Sequence, residues 1–388
     1  MRVLRLLTRA NVGGPMRQAV ALWHEHRRLG LRTLLAVGEC DRGEDSVDLE
    51  SAEIPVLGID EVAPEVEGLV VVPSLRRGVH ALRDRRASLA VRRLCGAFRP
   101  DLVHTHTSKA GWLGRMAAAK VGGAAVAHTY HGHVLKDYFA APTGLALRRM
   151  ELFLARRTDL LLAVSPSCAS ELASFGLRDV RVVPPAVELR AFEVASRSAA
   201  RQQLGLDAGV FAVGFAGRLV PIKRPDVFFD VVQQLPGVDG YVFGDGPLRP
   251  TLEPRARGRV RMLGVRHDMD RLLPGLDALV ITSRREGCPL VAVEAFAAGV
   301  PVIGFDVPGV RDALGLWGAG VLVPTAEGAA GLARAVQSLA DEPARRQSII
   351  ERARARLDRF APRRVARVLA DSYRQAVDSK SRTEGVSS

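Results

Sequence analysis

The sequence predicts an α/β protein built from two doubly wound domains, and three observations carry that expectation. Short apolar strands alternate with helical stretches along the chain, the spacing that βαβ units need. The alternation breaks at Pro184-Pro185 and restarts near residue 210. With 388 residues, 47% of them apolar, the chain can fill two cores of roughly 150–200 residues each.

Val3–Leu7 is a short apolar strand that runs into a glycine turn over residues 9–14. Pro15 stands where proline favours a helix start, and Ala19, Leu22, Trp23 and Leu29 follow at helical spacing. Arg32–Val37, Gly68–Val72, Asp101–His104, Ala124–Thr129 and Leu160–Val164 read as further strands with helices between them, and Val180–Val183 closes the first half. The segment from Pro184 to about Ala200 reads as a linker. Val210–Ala216, Gly240–Phe243, Arg259–Leu263, Ala278–Thr282, Pro301–Phe305 and Gly320–Val323 are the strands of the second half. The expected boundaries are 1–188 for the first domain, 189–365 for the second, and 366–388 for a terminal helix and a polar tail beginning near Ala376. That helix can pack back on the first domain. In doubly wound sheets ligands bind at the carboxyl ends of the strands, so two such domains facing each other imply an interdomain cleft.

Composition narrows the function. No apolar run approaches the roughly 20 residues of a membrane-spanning helix. The start, MRVLRLLTRANVGGP, has too short an apolar part for a signal peptide, so a cytoplasmic protein is expected. Cys40, Cys95, Cys168 and Cys288 are dispersed, with no CxxC pair, and read as small buried hydrophobes rather than disulfide or zinc ligands. The net charge of +13 calls for an anionic partner. The cations are nearly all arginine, so Lys223, five residues after Arg218, stands out.

Gly217-Arg218 and Lys223 lie just past a strand end, where an arginine fork and a lysine point charge suit an anion. Gly244-Asp245-Gly246-Pro247 is a tight turn after the next strand, and Gly264-Val265-Arg266-His267-Asp268 ends another. Ser283 to Pro289 then leads into a helix that carries Glu294, with Pro289 suited to its first turn. The amides around residues 287–291 would be unpaired and, with the helix dipole, attract an anion. Glu286 and Glu294 can grip different hydroxyls of one ligand, as an acidic residue grips ribose in dinucleotide folds. Asp268-Met269-Asp270 is formally a DxD, but Arg266 and Arg271 beside it favour ion pairing over a metal.

Residues 217–223, 244–247, 264–268 and the segment SRREGCPLVAVEAFAAGVPVIGFDVPGV (283–310) resemble glycosyltransferase family 4, of the GT-B fold with two Rossmann-like domains. Glu286 and Glu294 correspond to that family's EX7E motif. The resemblance implies a retaining, metal-independent transferase without cofactor that uses a nucleotide-sugar donor, with UDP favoured. It implies that Arg218 and Lys223 bind the diphosphate and that Glu294 holds the ribose. Glu286 with the amides of Gly287, Cys288, Leu290 and Val291 beside Pro289 would hold the sugar, and Val265–Arg266 would lie near the base, with Gly217 and Gly244 in the turns. The first domain becomes the acceptor side and the second the donor side. Gly13-Gly14 resembles the first-turn glycines, Gly14 approaching the donor, and no GxGxxG fingerprint is present. His131 in HTYHGH (128–133) matches the family's histidine near the anomeric carbon, whereas His104, His106, His128 and His133 read as structural. HTHTSKAGWLGR (104–115) resembles the capsule- and envelope-polysaccharide branch, which implies cell-envelope or exopolysaccharide synthesis, and a glycan, lipid-linked or small-molecule acceptor is expected. The family often carries an Asn-Gly-Val-Asp-like stretch at the domain junction, where this chain has Pro184-Pro185-Ala186-Val187-Glu188.

The stretch Arg76–Arg99 carries eight arginines against Asp84, with Val79, Leu82, Leu89 and Leu94 adding apolar surface. It suits an anionic membrane surface. Nucleic acid fits less well, since no aromatic stacking set accompanies the charge. A non-catalytic nucleotide-sugar binder and a sugar-nucleotide epimerase are the alternatives. The epimerase needs an acid–base pair that the motifs do not supply.

Overall fold

The computed structural model describes every residue except Val12, residues 42–51, residues 133–140, Ala208, Arg257, Leu316, Trp317 and residues 387–388. His133 therefore lies outside the described residues. The chain divides into two units, Met1–Val187 with Pro362–Ser388, and Glu188–Ala361. In order, the first half contains β1 (Arg2–Leu7), α1 (Gly14–Arg28), β2 (Arg32–Gly38), β3 (Val56–Leu57), β4 (Gly68–Val72), α2 (Ala81–Phe98), β5 (Leu102–His106), α3 (Ser108–Val121), β6 (Ala125–Tyr130), α4 (Ala141–Ala155), β7 (Leu160–Ala163), α5 (Pro166–Ser174) and β8 (Arg181–Val182). The second unit follows with α6 (Arg190–Glu193), α7 (Arg197–Leu204), β9 (Phe211–Ala216), α8 (Pro225–Gln233), β10 (Val238–Phe243), α9 (Arg249–Leu252), β11 (Val260–Gly264) and α10 (Met269–Leu272). It continues with β12 (Ala278–Ile281), α11 (Leu290–Ala297), β13 (Val302–Phe305), β14 (Val321–Val323), α12 (Gly328–Asp341) and α13 (Pro343–Arg354). The last helix, α14 (Pro362–Val386), returns to the first unit.

The first sheet runs β3-β4-β2-β1-β5-β6-β7-β8 and the second β11-β10-β9-β12-β13-β14, and every described pairing is parallel. Parallel pairing demands crossovers, which place helices on both faces, so the strands are apolar on both sides. In the first unit, Leu4, Leu6, Leu34, Val70 and Val103 pack with Val91, Leu94 and Phe98 of α2. On the opposite face Val3, Leu102, Ala127 and Leu162 pack with Leu22 of α1 and Val365, Leu369 and Tyr373 of α14.

That second face also holds a buried polar set. Alternation along β5 puts Leu102, His104 and His106 on one side. His104 and Arg5 of β1 are paired in register, and both are fully buried. Arg5 Nη2 donates to Tyr373 Oη at 2.7 Å, and Tyr373 Oη lies 2.7 Å from His104 Nδ1. His104 Nε2 lies 2.7 Å from Thr129 Oγ1. The C-terminal helix is thereby fastened to the sheet by hydrogen bonds as well as by apolar packing.

Two sequence expectations change. The stretch read as a linker to Ala200 contains α6 and α7, and it belongs to the second unit from Glu188. Ser196 caps α7 by accepting from the Ala199 amide, and Arg197 bridges to Asp277 and to the carbonyls of Pro274 and Leu276. The polar stretch after Ala376 is helical to Val386, and Lys380 donates to the Ala124 carbonyl at 2.9 Å.

Burial, with lesser help from Arg5, holds His26 and His104 well below the ordinary value of 6.5. Burial does the same to His106, next to His104 and His131, and to His128, next to Arg115. The unfolded chain binds these protons near 6.5 and the folded chain does not, so stability is full above that pH and falls as pH drops below it. Each histidine that stays neutral contributes up to about 1.4 kcal/mol per pH unit to this loss. We expect the urea midpoint to hold between pH 8 and 7 and to fall steeply from pH 6.5 to 5. An unchanged midpoint over that second interval would show that the folded protein takes up these protons as readily as the unfolded chain.

Candidate active site

The second sheet reverses its strand order at β9, flanked by β10 and β12, which makes the carboxyl ends of β9 and β12 its switch point. The loops leaving these strands are locked together. Gly217 donates its amide to the Phe243 carbonyl at 2.9 Å, and Leu219 donates to Asp245 at 2.9 Å. Gly244 has φ +129°, and a Cβ there would stand 2.1 Å from the Gly217 carbonyl oxygen. Only glycine allows the two turns to approach in this way.

Lys223 follows β9 in a loop stapled to the end of β12. The Thr282 hydroxyl lies 2.8 Å from the carbonyls of both Lys223 and Arg224, and the Arg284 amide donates to Ile222 at 2.8 Å. The Lys223 ammonium is thereby brought 2.5 Å from Glu286 Oε1. Ser283 Oγ donates to the same oxygen at 2.6 Å. Glu286 is itself held from behind: its amide donates to Pro308, and Gly309, at φ +79°, packs where a Cβ would lie 2.3 Å from the Glu286 carbonyl oxygen.

A small recess opens here, lined by Phe215, Ala216, Lys223, Leu279, Val280, Ile281, Ser283, Glu286, Pro289 and Val291. Its polar lining groups Lys223, Ser283 and Glu286 are bonded to one another, and the rest of the lining is apolar or backbone, a mixture that suits a small-molecule site. Lys223, Glu286, Pro289 and Val291 are thus gathered in one place. Gly217 and Gly244 form the adjoining turns, and Arg218 is exposed beside them. Pro289 is the N-cap of α11 rather than a first-turn residue, so Leu290 and Val291 open the helix. Glu294 lies buried one turn further in. Burial, then the charges of Asp312 and Glu286, push the Cys288 thiol up to about 12, so it stays protonated. Arg266 clasps Asp268 through both carboxylate oxygens, at 2.8 and 2.6 Å, and Gln203 adds a third bond. These bonds, the one from Arg266 foremost, hold the Asp268 carboxyl below its usual range. The first aspartate of the DxD is therefore committed to a guanidinium.

In the first unit, Gly13 caps α1 without a side-chain bond, and Gly14 is the first helical residue. His131 directly follows β6 and is half-buried, with Nε2 2.9 Å from His106 Nδ1. Sequence reasoning passed over Ser283, which sits three residues before Glu286 at the end of β12, and Tyr373, which carries no local motif.

Two parallel doubly wound units, the second with an anion-suited switch point, give a fold of the GT-B type. Residues 12–191 match the family model described as Glycosyltransferase Family 4, and residues 211–342 match that described as Glycosyl transferases group 1. Over 303 residues the chain is 30% identical to a D-inositol 3-phosphate glycosyltransferase of Arthrobacter sp. (strain FB24), covering 72% of each. Over 256 residues it is 30% identical to the UDP-Gal:alpha-D-GlcNAc-diphosphoundecaprenol alpha-1,3-galactosyltransferase of Escherichia coli, covering 61% of this chain and 66% of that one. The matched stretch thus spans about two thirds of the length of these relatives. In fold, the chain is similar to Anabaena HepE, solved in complex with UDP and glucose, with a TM-score of 0.79 at 22% identity over 97% of this chain and 100% of that one. The protein belongs to glycosyltransferase family 4.

The support behind Glu286 can be tested at Gly309. A Gly309→Ala change strains a left-handed backbone and drives a methyl group into the Glu286 carbonyl. We expect a loss of about 2–4 kcal/mol in unfolding free energy, together with weakened nucleotide binding. Gly30→Ala, also at positive φ where α1 ends but with open space around it, should cost less and leave binding intact. Equal effects at the two sites would refute the packing argument.

Proposed function

We propose that the protein moves a hexosyl or N-acetylhexosaminyl group from a UDP-sugar to a lipid-linked or glycan acceptor, without a metal and with retention at the anomeric carbon. The observation that carries this reading is the Lys223–Glu286–Ser283 group in the recess at the β9/β12 switch point. A lysine ammonium has three N–H donors. With one on Glu286, two remain for a diphosphate, and Glu286 Oε2 remains to accept from a sugar hydroxyl. The names of the Escherichia coli relative and of the Anabaena complex support uridine and a diphospho-lipid acceptor for those proteins.

Breaking the sugar–phosphate bond builds negative charge on the diphosphate and positive charge on the sugar. Arg218, Lys223 and the first amides of α11 would meet the negative charge by preorganised electrostatics. Glu294 would hold the ribose, and Val265 with Arg266 would flank the base. Glu286 beside Gly287, Cys288, Leu290 and Val291 would hold the sugar, with Gly14 and His131 acting from the first unit. Glu286 is engaged by Lys223 and Ser283, which suits a binding carboxylate better than a nucleophile. The acceptor therefore attacks from the face the diphosphate leaves, and the departing phosphate takes its proton.

The α2 surface suits an anionic lipid partner. Leu82, Arg85, Arg86, Leu89 and Arg93 are exposed at helical spacing along one stripe, and Val79 just ahead of them is 91% exposed. Leu94 does not contribute, being buried in the core beneath. Among the described residues no helix is long and apolar enough to cross a membrane.

Incubation with UDP-, GDP- and ADP-sugars in EDTA should release nucleotide from a UDP-sugar. Arg218→Ala should cost on the order of 10²–10³-fold in turnover. Activity that needs a divalent metal, or that survives in the variant, would overturn the metal-free leaving-group assignment. At low salt the protein should sediment with phosphatidylglycerol-containing vesicles and dissociate as salt rises, and Leu82→Ser/Leu89→Ser should sediment less. Equal recovery with neutral vesicles would reject the anionic surface.

A further inference from the structure

His106 closes β5 and is 1% exposed. Its Nδ1 lies 2.9 Å from His131 Nε2, its ring stacks 4.1 Å from that of His104, and its Nε2 is buried without a hydrogen-bond partner among the described residues. Two neutral imidazoles share such a contact with one proton, so one ring donates and the other accepts. If His131 donated from Nε2, His106 would carry its own proton on the buried, unpartnered Nε2. If His106 donates from Nδ1, its Nε2 is instead a bare lone pair. The surroundings decide between the two. Arg5, in register with His104 two residues before His106, is fully buried and opposes charge on His106, and its Nε and Nη1 have no hydrogen-bond partner among the described residues. A buried cation favours a lone pair on the neighbouring ring and disfavours another N–H.

We propose that His106 is a positioning residue that donates from Nδ1 to His131 Nε2 and so fixes His131 in the Nδ1–H tautomer, ready to donate a hydrogen bond to an oxygen of the transferred sugar. This rests on the donor reading above and deepens it. The consequence is chemical. With Nε2 occupied and Nδ1 already protonated, His131 has no free lone pair with which to take the acceptor's proton, which leaves that task to the departing phosphate. Tyr373 completes the frame: its hydroxyl accepts from Arg5 and donates to His104 Nδ1, which leaves His104 Nε2 to donate to Thr129. Among the described residues, the titratable side chains acting on the pair are Arg5 on β1, His104 on β5 and His128 on β6, none of them acidic. Burial, with Arg5 second, lowers His131 itself to about 4, so the same tautomer persists through neutral pH.

Long-range ¹⁵N–¹H correlation spectra of the full-length protein read the tautomer directly, with His131 assigned by its loss in His131→Gln. We expect a protonated Nδ1 and an unprotonated Nε2 on His131 from pH 8 to 5.5. His106→Leu should release the tautomer and lower kcat/KM by about tenfold, the worth of one hydrogen bond. His106→Asn, whose amide places an N–H near Nδ1, should restore both. A wild-type His131 protonated on Nε2 would overturn the proposal, as would an unchanged tautomer and unchanged kcat/KM in His106→Leu. If His106→Leu does not fold, the wild-type and His106→Asn spectra decide. If no nucleotide sugar is turned over by the wild type, the donor reading fails while the spectra still settle the tautomer.

Discussion

Parallel pairing governs this structure. Each strand must be followed by a crossover before the next can pair, so both sheets are covered on both faces and their strands read as Val, Leu, Ile and Ala. A strand in such a sheet has nowhere to display a polar side chain except at its carboxyl end, where the chain leaves for the next helix. The chemistry-bearing residues of the second unit obey this. Gly217, Arg218, Gly244 and Ser283 all stand within a few residues of a strand end, and the recess forms where the order reverses.

The site's geometry then depends on backbone contacts more than on the charges themselves. Lys223 and Glu286 are far apart in sequence. The bonds from Thr282 and Arg284 set the lysine loop against β12, and Pro308 and Gly309 fix the glutamate from the other side. An ion pair this accessible would contribute little if its partners had to be ordered for it alone. Here the loops are ordered already, and the pair leaves two lysine donors and one carboxylate oxygen in place for a ligand.

This division explains what was legible in the sequence. Strand positions could be read because buried parallel strands are uninterrupted apolar runs. The second-unit site could be read because its residues cluster just after those runs. The helices α6 and α7 could not, since the stretch around them opens with two prolines and α7 is mostly polar; its stability comes from Arg197 and Arg201 reaching Asp277, some 80 residues away. The terminal helix looked like a polar tail for the same reason: only one stripe of it, with Val365, Leu369, Tyr373 and Ala376, meets the sheet. Nor does any local pattern tie Tyr373 to Arg5 or His104. That link exists only because α14 returns to the first unit.

Among the described residues Arg5 is the one charged side chain fully buried in mid-strand, and its cost bears on function. A guanidinium buried in mid-strand needs partners, and an acidic one would have neutralised it. The described contacts instead give it a tyrosine hydroxyl and neutral imidazoles. Among the described residues no carboxylate bonds to it, and its charge, after burial, opposes protonation of His104, His106 and His131. A carboxylate at the same place would have raised those histidines toward neutrality and made His131 a base. Burial, with the cation's lesser help, keeps the rings neutral, and the cation lends direction to their hydrogen bonds, so the buried set that weakens the fold in acid also specifies which atom of His131 carries the proton.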